Sequence, residues 1–244
     1  MRNVKVVVEY DGTDYFGFQY QPNVPTIQGE LERVLARILK EKVTVYGSGR
    51  TDAGVHAAGQ VINFRTRGTI PIEKLCIAMN SLLPVSIAAL EAEEVGPQFH
   101  ARYSAKSRLY RYDILNREVK SALQGRYCWH VRHPLDVDTM CKSAQCLIGV
   151  HDFTSFAVAD RDESSTVRNM MSVDVSRAGE HVIIEMRANA FLRSMVRVIV
   201  GTLVEVGLGL RPCSDMLKIL EARDRRLAGK TAPPHGLCLM EVEY

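Results

Sequence analysis

The stretch Gly47-Ser48-Gly49-Arg50-Thr51-Asp52-Ala53-Gly54-Val55-His56-Ala57 sets one carboxylate, Asp52, among small residues. A guanidinium (Arg50) lies two positions before it and an imidazole (His56) four after. Glycines permit positive-φ conformations and let the backbone come close to a ligand. A carboxylate in such a turn, beside a cation that favours its charged form, is suited to work as a base or a nucleophile. Arg50 and Asp52 are separated by one residue, so in an extended segment both side chains leave on the same side. The guanidinium can then touch the acid or reach outward to a phosphate. A polar β-turn with a surface ion pair is the other reading of the same string.

Two further segments carry charge in an unusual setting. In Phe99-His100-Ala101-Arg102-Tyr103-Ser104-Ala105-Lys106-Ser107-Arg108-Leu109-Tyr110-Arg111-Tyr112, the cations Arg102, Lys106, Arg108 and Arg111 occur with no acid, and Tyr103, Tyr110 and Tyr112 are interleaved. Cations neutralise phosphates and rings stack on bases, the combination that looped or single-stranded RNA requires. A solvated edge strand has the same composition. From Phe191 onward, Met195, Val198, Thr202 and Val206 recur as an apolar helical stripe, and Arg193, Arg197 and Gly201 follow at four-residue intervals on a neighbouring face. Arg193 can snorkel to solvent. Arg197, enclosed by Val196, Val198 and Val200, calls for a carboxylate, because an unpaired buried guanidinium is costly. Asp52 is the expected partner.

Several other chemistries find no support. Gly47-Ser48-Gly49 lacks the third glycine of a dinucleotide fingerprint, and no phosphate-cradling loop with Lys and Ser/Thr occurs. Asp11-Gly12-Thr13 is like a phosphotransferase aspartate motif, but the position two residues earlier is Glu9, so it reads as a turn. His56, His100, His151 and His235 lack metal-ligand spacing, and the six cysteines include no Cys-x-x-Cys. Neither a metal nor a nucleotide cofactor is expected, and free thiols fit a cytoplasmic setting. His56 is read either as a loop-orienting hydrogen-bonding group or as an RNA contact. Asp160-Arg161-Asp162-Glu163 reads as a solvated loop.

The elements that must position these groups follow from periodicity. The 244 residues, 46% hydrophobic and 24% charged, suffice for a substantial core. A net charge of +3 is too small to argue for nucleic acid by itself, so the distribution of charge carries that case. No amino-terminal apolar run resembles a signal peptide, and residues 196–210 contain Arg197 and Glu205, so no membrane span is expected. Strands are predicted over 4–10, 43–46, 60–65, 87–95, 107–115 and 237–242, with a hairpin formed by 167–176 and 181–187. Helices are predicted over 26–40, from Pro71 to about 83, over 137–148 with Met140, Cys141, Ala144, Leu147 and Ile148 inward, over 191–206, and over 214–222. The economical description is an α+β fold of two halves, 1–104 and 105–244, with largely antiparallel sheets.

The order of blocks resembles the tRNA pseudouridine synthases that modify the anticodon arm, the TruA family. Carrying the likeness are Glu9-Tyr10-Asp11-Gly12-Thr13, the Asp52 string, Phe99-His100-Ala101-Arg102, Arg108-Leu109-Tyr110-Arg111-Tyr112, His151-Asp152-Phe153, Met195-Val196-Arg197 and Ala232-Pro233-Pro234-His235-Gly236-Leu237. The resemblance implies a pseudouridine synthase fold with two similar halves flanking a basic cleft, a homodimer, no cofactor, and isomerisation of uridine at positions 38, 39 and 40 of tRNA. It implies Asp52 as catalytic aspartate, Tyr110 as active-site tyrosine, Arg197 as the partner of the aspartate and Arg50 as an RNA-engaging arginine. Ser194 departs from the pattern, since relatives often have histidine there. The remaining expected RNA contacts are His56, Arg102, Arg108, Arg111 and Arg193. Such a reaction needs one ionised carboxylate at the sugar–base junction and a flipped nucleotide. Abstraction of the ribose C2′ proton by Asp52, giving a glycal, is preferred over direct attack on sugar or base. Two other classes compete: an RNA-binding protein without catalysis, and phosphotransfer or glycoside hydrolysis. The latter would need Mg²⁺ or a second carboxylate.

Overall fold

The computed structural model describes residues 1–159 and 165–244; the charged run 160–163 lies outside the described residues. The chain forms two compact units, Met1–Lys106 with Leu239–Tyr244, and Ser107–Cys238.

The first unit opens with β1 (Arg2–Tyr10), where Val4, Val6 and Val8 alternate inward and are fully buried. The strand ends at an Asx turn in which Asp11 accepts hydrogen bonds from the Thr13 amide and hydroxyl. Helix α1 (Ile27–Leu39) begins where the Thr26 hydroxyl accepts from the Gly29 amide, and stops at Lys40 in the left-handed region (φ 54°). Its buried face is Ile27, Leu31, Val34 and Leu35.

A strand is predicted over 43–46, but β2 is only Tyr46–Gly47. The Val45 amide donates instead to the Glu32 carboxylate on α1, which takes that residue out of the ladder. Strand β3 (His56–Thr66) is longer than the predicted 60–65, because it pairs with β1 from Thr66 opposite Arg2 to Ala57 opposite Tyr10. Helix α2 (Ile72–Asn80) follows Pro71, and β4 (Ile87–Val95) lies antiparallel to β1 on its other side.

In the second unit, β5 (Ser107–Asn116) pairs antiparallel with β9 (His181–Ala188) and parallel with the short β6 (Trp129–Val131). Helix α3 (Val137–Ala144) tightens into a 3₁₀ turn at Gln145–Leu147, which shifts the periodicity and leaves Ile148 exposed rather than inward. Strand β7 (Gly149–Asp152) pairs with β8 (Val167–Ala178), which forms the expected hairpin with β9 around Gly179.

Helix α4 is Met195–Gly207 and starts four residues later than its apolar spacing suggests. Ser194 takes a left-handed conformation (φ 59°), and the Arg193 carbonyl accepts from the Val158 amide. Arg193 therefore precedes the helix, and its four-residue spacing to Arg197 has no helical meaning. Nor does α4 carry a single stripe, since all of it except Arg197 and Glu205 is buried. Helix α5 (Asp215–Ala222) follows, and the chain closes with β10 (Leu237–Glu243). The sequence reading leaves the whole closing strand in the second half; residues from Leu239 onward belong to the first unit.

Candidate active site

The Asp52 loop is the turn between β2 and β3 in the first unit, and a set of buried polar side chains clamps it. Gln60, fully buried on β3, donates to the Gly49 carbonyl at 2.9 Å and accepts from the Ser48 hydroxyl at 2.5 Å. The Ser48 amide donates to the Val61 carbonyl. Thr51 Oγ1 lies 2.9 Å from the Tyr10 hydroxyl at the end of β1, and the Thr51 carbonyl accepts from the Phe18 amide at 3.1 Å. Past the acid, the Val55 amide closes a turn on the Asp52 carbonyl at 3.1 Å. Gly12 packs so tightly behind this turn that a Cβ there would lie 2.0 Å from the Val55 carbonyl oxygen. Strands β1 and β3 are thus both fastened to the loop. Asp52 itself is half-buried and Arg50 is exposed.

His56 is held against the turn that ends β1. It is 6% exposed, and its Nδ1 accepts from the Gly12 amide at 3.1 Å and lies 3.2 Å from the Asp11 carboxylate. Its ring therefore faces the interior.

In the second unit, Tyr110 is buried on β5 with its ring edge-on to Phe191 at 5.1 Å. Arg197 is half-buried on α4, its Nε donating to the Ala232 carbonyl at 2.8 Å while the Ala232 amide donates to the Arg197 carbonyl. The segment 230–232 runs flush against this helix: a Cβ on Gly201 would lie 1.7 Å from the Lys230 carbonyl oxygen. Tyr112, fully buried, donates its hydroxyl to the Pro233 carbonyl. Burial holds its phenol far above the ordinary range, against the opposing pull of the Arg197 charge.

The basic segment divides by environment. Arg108 is buried and donates to the Asn189 carbonyl at 2.6 Å. Arg111 sits opposite Glu185 in the β5–β9 register and pairs with it at 2.8 Å. Arg193 is exposed. Arg102 is exposed in the first unit, where it lines a cavity of about 260 Å³ together with Arg50, Phe18, Tyr46, His100 and Tyr103. Sequence reasoning missed Tyr46 and Phe18 in this cavity; an exposed tyrosine beside the Gly47-Ser48-Gly49 run was the available signal. Among the described residues, no group of three or more His, Cys, Asp or Glu side chains is arranged to hold a metal ion. Nor is any helix there long and apolar enough to cross a membrane.

Comparison of the chain with known proteins matches it to one family. The family model described as tRNA pseudouridine synthase matches residues 6–104 and 143–244. The tRNA pseudouridine synthase A of Thermoanaerobacter sp. (strain X514) is 46% identical over 244 residues, covering 100% of both chains. The protein of the same name from Brevibacillus brevis is 49% identical over 244 residues, again covering 100% of both. That from Moorella thermoacetica is 48% identical over 243 residues, covering 99% of each.

Proposed function

Because the chain belongs to the tRNA pseudouridine synthase family, we propose that it isomerises uridine to pseudouridine at positions 38, 39 and 40 of the anticodon stem-loop, with Asp52 as the catalytic carboxylate. The observation that carries the reading is the clamped Asp52 loop. A half-buried acid on a backbone fastened from β1 and β3 is a group held in place for chemistry.

The reaction exchanges a C1′–N1 bond for a C1′–C5 bond, with no net oxidation or reduction. Asp52 removes the C2′ proton, and uracil departs with the glycosidic electron pair on N1, leaving a glycal. The base turns so that C5 faces C1′, the new bond forms as C2′ regains the proton from Asp52, and the C5 proton leaves while N1 takes one up. Tyr110 is assigned the ring face against uracil and the hydroxyl through which the C5 proton departs. Arg197 is assigned a fixed positive charge for the anions on this path. A base inside a helix must first be extruded from its stack.

Arg50, Arg102, Arg111 and Arg193 are assigned to the RNA backbone, while His56 and Arg108 act through their internal contacts. A homodimer in the cytoplasm, working without metal or nucleotide, completes the proposal. The test is tritium release from 5-tritiated uridine in an anticodon-arm transcript. Asp52→Asn should abolish release while tRNA affinity stays within about threefold, since the change is isosteric and removes one charge. Turnover retained in this variant overturns the assignment of Asp52. Salt-dependent binding by the wild type with no release overturns catalysis in favour of RNA binding alone.

A further inference from the structure

Arg50 and Arg102 line the cavity beside the Asp52 loop, and the isomerisation just described leaves the aromatic side chains around them without a role. The rim of the cavity is a row of rings, with Tyr46 and His100 centred 5.0 Å apart and His100 and Tyr103 4.5 Å apart. Tyr46 and Tyr103 are 44% and 77% exposed, so part of the row is open to solvent. The Arg102 guanidinium lies 5.7 Å from the centre of the Tyr103 ring, and Arg50 lines the same space.

The row is held rigidly. Asn63 is the register partner of Tyr46 across β2 and β3, and its side-chain oxygen accepts from the Ala101 amide at 2.8 Å. One buried residue therefore sets the positions of Tyr46 and of the loop that carries His100 and Tyr103. The Asn63 amide donates to Asn3, which in turn donates to the carbonyls of Gly96 and Phe99. The Ala101 carbonyl accepts from the Tyr244 hydroxyl. His100 and Ser104 close the loop on each other, each backbone amide donating to the other residue.

The chemistry of the row selects its ligand. His100 Nδ1 accepts from the Arg102 amide at 3.1 Å, so the ring proton sits on Nε2 and the imidazole is neutral. Burial, with the nearby charges of Arg102 and Arg65, also holds the His100 pKa below its ordinary value. The row thus offers uncharged ring faces, one N–H donor and two guanidinium groups. Ring faces take any base, and guanidinium groups take the adjoining phosphate. The cavity volume of about 260 Å³ is near the lower end for small-molecule pockets, which suits a single base.

We propose that the Tyr46–His100–Tyr103 row, with Arg102 and Arg50, is a docking subsite for one unpaired nucleotide of the RNA other than the uridine being isomerised. The base stacks on the exposed Tyr103 face and the phosphate lies against Arg102. The proposal rests on the reading of the chain as an enzyme acting on an anticodon arm. Its role is to hold the loop while the target is presented to Asp52.

The experiment is an abasic scan. Anticodon-arm transcripts, each lacking the base at one unpaired loop position, are titrated against wild type, Tyr103→Ala and Tyr103→Phe by fluorescence anisotropy. Tyr103 is exposed, so neither substitution disturbs the core. Tyr103→Ala should weaken binding of the intact arm about tenfold, in the range measured for loss of one base–aromatic stack, and Tyr103→Phe should restore it. At one loop position the abasic change should cost wild type about tenfold and cost Tyr103→Ala almost nothing, because base and ring report the same contact. Penalties that add at every loop position overturn the subsite. Tritium release by the wild type is measured separately. Coupling without release leaves the subsite standing and removes the isomerase reading, whereas release without coupling does the reverse.

Discussion

Gly12→Ala tests whether the Asp52 loop is positioned from behind. The new Cβ would lie 2.0 Å from the Val55 carbonyl oxygen, 2.7 Å from its carbon and 3.2 Å from its nitrogen. Comfortable carbon contacts are about 3.5–4.0 Å, so the Val55 peptide must retreat by more than about 1 Å. Overpacking of this kind costs about 1–3 kcal/mol. Two hydrogen bonds are strained with it, Val55 to the Asp52 carbonyl and Gly12 to His56 Nδ1, each worth about 1 kcal/mol. The expected loss is about 2–4 kcal/mol, and at about 2–4 °C per kcal/mol for a chain of this length the melting point falls by about 5–15 °C.

The functional consequence is separable from the stability loss. Displacing a catalytic group by about 1 Å can cost about 10²-fold in rate. At a temperature where the variant is fully folded, kcat for tritium release should drop about 100-fold while tRNA affinity changes less than about threefold. Gly96→Ala is the control, because a Cβ there meets nothing within 4 Å and its melting point should stay within about 2 °C. A Gly12→Ala protein with wild-type melting point and wild-type kcat would refute the view that the β1 turn holds the acid.

Two further outcomes follow from the second unit. In Gly201→Ala the new methyl meets the Lys230 carbonyl at 1.7 Å, which pushes the 230–232 segment off α4 and loosens Arg197. A thermal melt should show a loss of about 3 kcal/mol, or about 6–12 °C, and an unchanged melting point would mean that the segment does not pack there. Acid stability should carry a mark of Asp224, whose hydrogen bonds from Arg226 lower its carboxyl from 3.8 to about 2. A carboxyl depressed in the folded state contributes stability above its unfolded pKa and loses it as pH falls through the folded one. The difference in urea midpoint between wild type and Asp224→Asn should therefore shrink as pH falls from 3.8 toward about 2. A constant difference across that window would contradict the pairing.

Where local chemistry decides the structure, the sequence was legible. Thr26 caps α1, Lys40 ends it, Asp11 makes its turn, and β4 has its predicted bounds, because each depends on residues a few positions apart. Where a distant partner decides, periodicity misled. The run from Phe191 spells helix, but the bond from Val158 to the Arg193 carbonyl and the left-handed Ser194 delay α4 to Met195. Residues 43–46 alternate like a strand, yet the Val45 amide is captured by Glu32. Arg108 and Arg111 read as free cations, and only the fold reveals Asn189 and Glu185 beside them. For the candidate site, the Asp52 string could be read at once, whereas Gln60 and Tyr10, which clamp it, look like ordinary strand polars.

That clamp explains why the first unit tolerates so many buried polar groups. Asn3, Ser48, Thr51, His56, Gln60 and Asn63 are all at most 6% exposed. Each has a hydrogen-bonding partner in the structure, and for Asn3, His56, Gln60 and Asn63 the partners include backbone groups of loops. Apolar residues of similar size would stabilise the sheet as well or better, since desolvating a polar group offsets much of what its hydrogen bonds return. They could not fix a loop backbone in one conformation. The polar side chains run in two groups from the same strand: Gln60 to the loop of Asp52, and Asn63 to the loop of His100 and Tyr103. Replacing Asn63 with leucine should therefore leave Asp52 in place and release the aromatic row, while replacing Gln60 with leucine does the opposite. If both substitutions impaired kcat and RNA affinity alike, the two loops would not be separately anchored, and the division of labour along β3 would be wrong.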